Sequence, residues 1–260
     1  LKLRWLILLA VKDYKEAHAQ GEELIKLDTS FADTTYFAKT STAYQADSQY
    51  QKAAETAARG LQKFPNDPFL SYINIVSLKQ AGQNQQALEA LDKAEANKVD
   101  VENAGFIRIS ILTDLGKTDE LLPAAKKMIA AGDTSTTLRQ MIIKIGDDKR
   151  KSAQQKESPE EYEEALKIFA YVDSVSTGAL KAQAGFLTGA TYVTYGQLKL
   201  NAAIRDKSCQ PAKEAKNYFA EAQINLPKGG ASAVDAMRQL MGAVMQLDPK
   251  ADEVIKAYCK

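Results

Sequence analysis

One histidine and two cysteines are the scarcest reactive groups in this sequence, and their placement limits the chemistry open to it. His18 has no second histidine to share a metal with and no nucleophile beside it, so it reads as a packed or solvent-facing side chain. Cys209 and Cys259 stand too far apart for a zinc ribbon, and no catalytic motif surrounds either sulfur. They are either disulfide-bonded or two unrelated thiols. A bond would close a loop of about 50 residues, worth roughly 4 kcal/mol on a chain-entropy account, and would need an oxidising compartment. If the last helix ran straight antiparallel to its predecessor, Cys259 would end roughly 15 Å from Cys209, so the bond asks that helix to cross obliquely.

The charged clusters read as structural too. Glu160, Glu161, Glu163 and Glu164 sit at a helix start, where carboxylates complement the helix dipole; that reading outweighs an acid–base pair. Lys149-Arg150-Lys151 lies beside Asp147-Asp148 and reads as a solvated run. Gly229-Gly230 lacks the surroundings of a phosphate loop. No nucleophile–base pair or metal constellation remains, so the chain is expected to be no enzyme, with no cofactor and no metal.

The elements that carry these residues are written in the composition. Across 260 residues, 34 Lys+Arg face 33 Asp+Glu, which argues against the basic surface of a nucleic-acid binder. The apolar run Leu3–Val11 is too short to cross a bilayer, which takes about 20 residues. Lys2 and Arg4 give it the opening of a signal peptide, but no small-residue cleavage site follows. It is expected to be a buried helix of a larger protein, with any targeting signal upstream. No later segment is apolar enough for membrane insertion.

Alanine is the excess residue, with 40 copies, and it recurs. Ala53, Ala87 and Leu121 are 34 apart; so are Ala57, Leu91 and Ala125, and Gly60, Ala94 and Met128. Tyr44, Leu78 and Leu112 keep the interval one helix earlier, and Gly82 is matched by Gly116. Antiparallel helices packed about 8–10 Å apart need small side chains where their backbones meet, and residues three or four apart share a face. Gly82 and Gly116 suit helix ends, while Asp67-Pro68 and Ser158-Pro159 suit helix starts. No alternating run predicts a strand.

With Tyr14-x-x-Ala17, Tyr50-x-x-Ala53 ending at Pro65, Tyr162-x-x-Ala165 with Phe169, and Ala215 with Phe219, Ala222 and Pro227, the sequence resembles the tetratricopeptide-repeat family. Its first helices only echo the family pattern, at Phe37 and Tyr44 and at Gly189 and Tyr192. The resemblance implies an all-α, right-handed α-solenoid of about six helical hairpins over 1–230, with capping helices over 231–260. Two helices are expected in that cap, Ala231–Leu247 and about Pro249–Tyr258, presenting one polar face. The period is broken by about ten extra residues near 147–157 and about sixteen near 196–210, read as helix extensions, with surface loops the competing reading.

The resemblance also assigns inward positions on the first helix of each pair. These are Thr35, Ala38, Thr42 and Gln45; Phe69, Tyr72, Val76 and Lys79; Asn103, Phe106, Ser110 and Thr113; and Thr137, Gln140 and Lys144. The binding residues expected among them are Phe69, Tyr72, Val76, Asn103, Phe106, Ser110 and Gln140, exposed aromatics beside hydrogen-bonding groups suited to a protein or peptide partner. Phe69 and Phe106 have a second reading, as packing between units. The Lys, Arg and Asn cluster with which family members grip chaperone C-termini is missing here, so that activity is not expected. The implied function is a protein-interaction scaffold; the competing one is a non-catalytic module that positions a neighbouring domain of a larger enzyme or transport assembly. The cysteine pair points to the periplasm or cell exterior, the cytoplasm being the alternative.

Overall fold

A computed structural model describes residues 2–259. Among them are thirteen α-helices and two 3-10 segments, with no strand. Six hairpins follow one another: α1 (Lys2–Ala10) with α2 (Tyr14–Leu27), α3 (Thr34–Ala46) with α4 (Tyr50–Lys63), α5 (Pro68–Gln80) with α6 (Asn84–Ala96), α7 (Ala104–Asp114) with α8 (Thr118–Ala130), α9 (Thr136–Lys156) with α10 (Pro159–Val175), and α11 (Gly178–Asp206) with α12 (Cys209–Asn225). A 3-10 segment, Leu226–Ala233, then leads into α13 (Val234–Tyr258). The chain divides into two compact units between Met128 and Ile129.

In the first unit the helix ends are set by local chemistry. The Asp33 carboxylate accepts from the Tyr36 amide at 2.8 Å and Asp67 from the Leu70 amide at 2.8 Å, each satisfying an orphan donor of the first turn. Pro68 occupies the first turn of α5, where its missing N–H costs nothing. The first helix of each hairpin closes with an amide reaching back five residues: Asp13 to Leu8, Gln49 to Tyr44, Gln83 to Leu78 and Lys117 to Leu112. The residue before each donor, Lys12, Ser48, Gly82 or Gly116, has a positive φ, as this closure requires. The repeated alanines sit where helices cross. Ala53, Ala57, Ala87 and Ala125 are fully buried, and a Cβ on Gly60 would lie 2.9 Å from both Leu70 and Phe37. That glycine lets α4 seat against α3 and α5 together.

The apolar run at the start forms α1, but only Trp5 is buried, edge-on to Phe31 at 5.2 Å and tilted to Tyr36 at 5.7 Å. Leu3, Ile7 and Val11 are exposed, so the expected buried helix is buried on one face only. The reason is that α2 and the Phe31–Tyr36 cluster lie on that one side.

The second unit repeats at a longer interval. Both stretches outside the 34-residue period are helical, residues 147–156 in α9 and 196–206 in α11. They belong to two hairpins offset by 50 residues. A Cβ on Gly146 would lie 2.7 Å from Phe169 Cε1, and one on Gly196 2.7 Å from Phe219 Cε1. Ala153 and Ala203 are buried, Glu157 and Lys207 have positive φ, and Ser158 and Ser208 are N-caps. Lys149 pairs with Glu164 at 2.5 Å as Lys199 does with Glu214 at 2.7 Å. Tyr162, Tyr195 and Tyr218 stack between these hairpins, with centroids 4.9 Å and 4.5 Å apart.

The C-terminal segment departs from expectation: α13 is one helix that runs through Pro249, not two. Lys216 of α12 bonds Asp252 at 2.6 Å and meets Asp248 at 3.7 Å, holding the turns on either side of the proline. Val244 and Ala251 are buried in the shared core. Cys209 and Cys259 are disulfide-bonded, with Cα atoms 5.0 Å apart. The geometric objection disappears because a single 25-residue helix, about 37 Å long, outreaches the roughly 25 Å of α12 and returns Cys259 to the start of α12.

Candidate functional site

A groove of about 710 Å³ opens on the first unit. Its floor is α3, which presents Thr35, Ala38, Thr42 and Ala46 along one face. One wall is α1, with Leu6, Leu9 and Ala10; Tyr14 closes an end, and Phe69 at the start of α5 forms the opposite wall. The floor is shallow because these residues are small and spaced three or four apart.

Two of the groove's polar groups are already engaged. The Thr42 hydroxyl donates to the Ala38 carbonyl at 2.8 Å, and the Asp67 carboxylate holds the Leu70 amide. Lys39 is exposed and has no ion-pair partner among the described residues. Polar ties fix the helices that frame this face. Gln45 donates to the Ser77 hydroxyl at 2.9 Å, joining α3 to α5, and Lys79 pairs with Asp114 at 2.9 Å, joining α5 to α7. The groove is mostly apolar, with the Lys39 cation and the Asp67 carboxylate among its lining residues.

The residues expected to bind are all at least partly accessible, but they are not gathered in one place. Phe69, 49% exposed, lines the groove with Thr35, Ala38 and Thr42. Phe106 is 43% exposed on α7, and Tyr72, Val76 and Ser110 are half-buried; none of these lines the groove. Asn103 precedes α7 with φ of 56°, a left-handed turn conformation that asparagine tolerates. Gln140 is exposed on α9, in the second unit. The wall residues Leu6, Leu9, Ala10 and Tyr14, and the cation Lys39, were not anticipated. The Thr35–Ala38–Thr42 row was the available signal: three small residues in succession on one face leave room.

The remaining reactive groups are structural. His18 is buried and stacked on Tyr44, with centroids 3.4 Å apart, and neither ring nitrogen has a hydrogen-bond partner. Burial lowers its pKa to about 4; Asp47 and Glu22 oppose that shift and Lys52 adds to it. The run at 149–151 is paired where full solvation was expected: Arg150 and Lys151 both meet Asp147, at 2.6 and 2.7 Å, and draw its pKa down against the opposing effect of burial. Glu160 and Glu161 lie in the first turn of α10, and both are held below the usual carboxylate range. A backbone amide and the Ser158 hydroxyl lower Glu160; Lys156 and Ser152 lower Glu161. Among the described residues no cluster of His, Cys, Asp and Glu has the makings of a metal site, and no helix is long and apolar enough to cross a membrane.

No protein-family profile matches the sequence, and no curated protein does so significantly. Solved structures do match. A TPR-repeats protein from Bacteroides fragilis aligns with a TM-score of 0.60 at 16% identity, over 83% of this chain and 99% of that one. A tetratricopeptide-repeat protein from Parabacteroides merdae aligns at 0.47 with 13% identity, over 93% and 96%. YrrB, described as a TPR protein with an unusual peptide-binding site, aligns at 0.42 with 16% identity, over 84% and 97%. At such identities the first of these likenesses establishes the fold.

Proposed function

We propose that this chain, which has the fold of tetratricopeptide-repeat proteins, is a non-catalytic protein-interaction scaffold that takes a peptide or protein partner on the face formed by α3, α5 and α7. The observation that carries this reading is the apolar groove of about 710 Å³ bordered by the half-exposed Phe69. Burying such a ring contributes about 1.5–3 kcal/mol, enough to make it an anchor. Tyr72, Val76, Asn103, Phe106 and Ser110 extend the surface along α5 and α7, and Gln140 offers a separate polar contact on α9. Co-purification from the native organism identifies the partner. Phe69→Ala combined with Tyr72→Ala is expected to weaken that partner at least tenfold, and undiminished binding removes the reading.

A second reading is favoured by the exposed Leu3 and Ile7 of α1 and Val11 just beyond its end. Spaced four residues apart, they suit a neighbouring domain of a larger assembly, which this array would position. Ile7→Lys separates the two: it disrupts a domain packed on α1 and leaves the groove partner bound. The disulfide supports an oxidising compartment, the periplasm or cell exterior. A thiol titration of unreduced protein from the native cell tests this, and two free thiols would remove it. Residues 231–260, with α13 as their helix, then act as the cap of the array.

A further inference from the structure

The groove on the first unit also constrains the conformation of whatever fills it. We infer that its occupant is an amphipathic α-helix of about three turns, carrying a carboxylate opposite Lys39. This rests on the docking reading above and specifies the class of partner.

The argument begins with backbone hydrogen bonds. An extended peptide arrives with unpaired N–H and C=O groups and needs donors and acceptors on its receptor. The groove has few to offer. Its walls and floor are helices whose backbones are paired internally, the Thr42 hydroxyl is committed to the Ala38 carbonyl, and Asp67 to the Leu70 amide, which leaves the hydroxyls of Tyr14, Thr34 and Thr35 against the many groups of an extended backbone. A helix brings its backbone already satisfied and asks only for apolar contact.

Shape agrees. From Thr35 to Ala46 the floor runs about 16 Å at 1.5 Å per residue, the length of three helical turns. The walls stand on helices flanking α3. The same unit shows how such a floor is used: the small residues Ala53, Ala57 and Gly60 of α4 are covered by side chains of flanking helices, Phe37 and Leu70 meeting Gly60. On α3 the equivalent row of Thr35, Ala38 and Thr42 has no covering helix in the described structure. Charge completes the description. Lys39 and Asp67 are the charged residues of the lining; Asp67 is taken up by the Leu70 amide, while Lys39 has no ion pair among the described residues and complements an acidic residue on the incoming helix.

The test uses the whole chain, with a phage-displayed library of random 16-residue peptides as probe. Enriched sequences are expected to place apolar residues at i, i+3 or i+4, and i+7, with Asp or Glu on the flank. The leading peptide, made synthetically, is expected to lose at least tenfold in affinity on Thr42→Trp, which fills the floor at an exposed position. Thr35→Arg should act likewise, both variants keeping the wild-type melting curve. A proline at its central solvent-facing position should also cost at least tenfold. Lys39→Glu should cost about threefold to fivefold, recovered when the peptide's acid is changed to Lys. Enriched peptides without helical periodicity, or indifferent to the proline, that still depend on Phe69 and Tyr72 overturn the helical occupant and leave the docking face standing. Peptides unaffected by Thr42→Trp and Thr35→Arg place the occupant elsewhere and overturn the inference. No enrichment over an uncoated surface overturns both the inference and the docking reading.

Discussion

The two units solve one packing problem at two lengths. In the first, helices of 9–14 residues form hairpins that recur every 34 residues from α3 onward, and small residues such as Ala53, Ala57 and Gly60 let helices approach. In the second, helices of 17–29 residues recur at 50, with a glycine on the first helix receiving a phenylalanine of the second. What changes between them is how the added length is held. The longer hairpins extend on ion pairs and stacked tyrosines, Lys149–Glu164 and Lys199–Glu214 outside and Tyr162, Tyr195 and Tyr218 within. The shorter hairpins leave room on α3 for a groove. The groove and this reinforcement therefore fall in different halves of the chain.

The sharpest way to break this comparison is at the glycine–phenylalanine contacts. Phe219→Ala and Phe169→Ala each empty a buried ring site facing a glycine, and each is expected to cost about 3–5 kcal/mol in urea unfolding. Similar losses for the two would show that the hairpins are equivalent; a loss under about 1 kcal/mol for either would end the equivalence. Next in size is the disulfide. Cys209→Ser with Cys259→Ser is expected to cost about 2–4 kcal/mol, expressed as faster hydrogen exchange in α12 and α13 and not in α3 to α6. Uniform acceleration across both units would contradict their independence.

A smaller effect belongs to the first unit. His18 takes up a proton near pH 6.5 when unfolded but only near pH 4 when folded, so the unfolded chain binds more protons in between. Stability is complete above about pH 6.5, erodes as the pH falls, and levels off below about pH 4. After solvent screening the loss is about 1–2 kcal/mol. His18→Phe, which keeps the stack on Tyr44, should flatten this part of the melting profile; an unchanged slope would assign it to carboxylates. Smallest are the half-buried surface ion pairs. Lys149→Ala and Lys199→Ala should each cost about 0.5 kcal/mol, less in high salt, and a loss above 2 kcal/mol from either would make the pairs central to the longer hairpins.

How much of this was readable in the residues follows the same division. The 34-residue spacing of alanines led directly to the short hairpins, because small residues at helix crossings are a steric requirement. The cap signals at Asp67-Pro68 and Ser158-Pro159 formed the expected helix starts. The 50-residue spacing was present in Gly146 and Gly196, Lys149 and Lys199, Ser158 and Ser208, and Phe169 and Phe219, but alignment to the shorter period turned it into two insertions. Pro249 suggested a break that packing against α12 overrides. The groove was only half legible. Phe69 and the small row on α3 are among the inward positions that the family resemblance implies, whereas the wall from α1 depends on how a helix turns over the Trp5 cluster, which no local pattern encodes.

The helix ends carry a further meaning. Asp13, Gln49, Gln83, Lys117, Ser158 and Ser208 all donate to a carbonyl five residues back, and the residue before them varies from Lys to Ser, Gly and Glu. Such a joint is written in main-chain atoms, so it demands almost nothing of the side chains around it. Genetic duplication or lengthening of a hairpin can therefore cut at any of these corners without redesigning the corner itself. The array is built to grow, and its two repeat lengths are compatible because they share the same hinge.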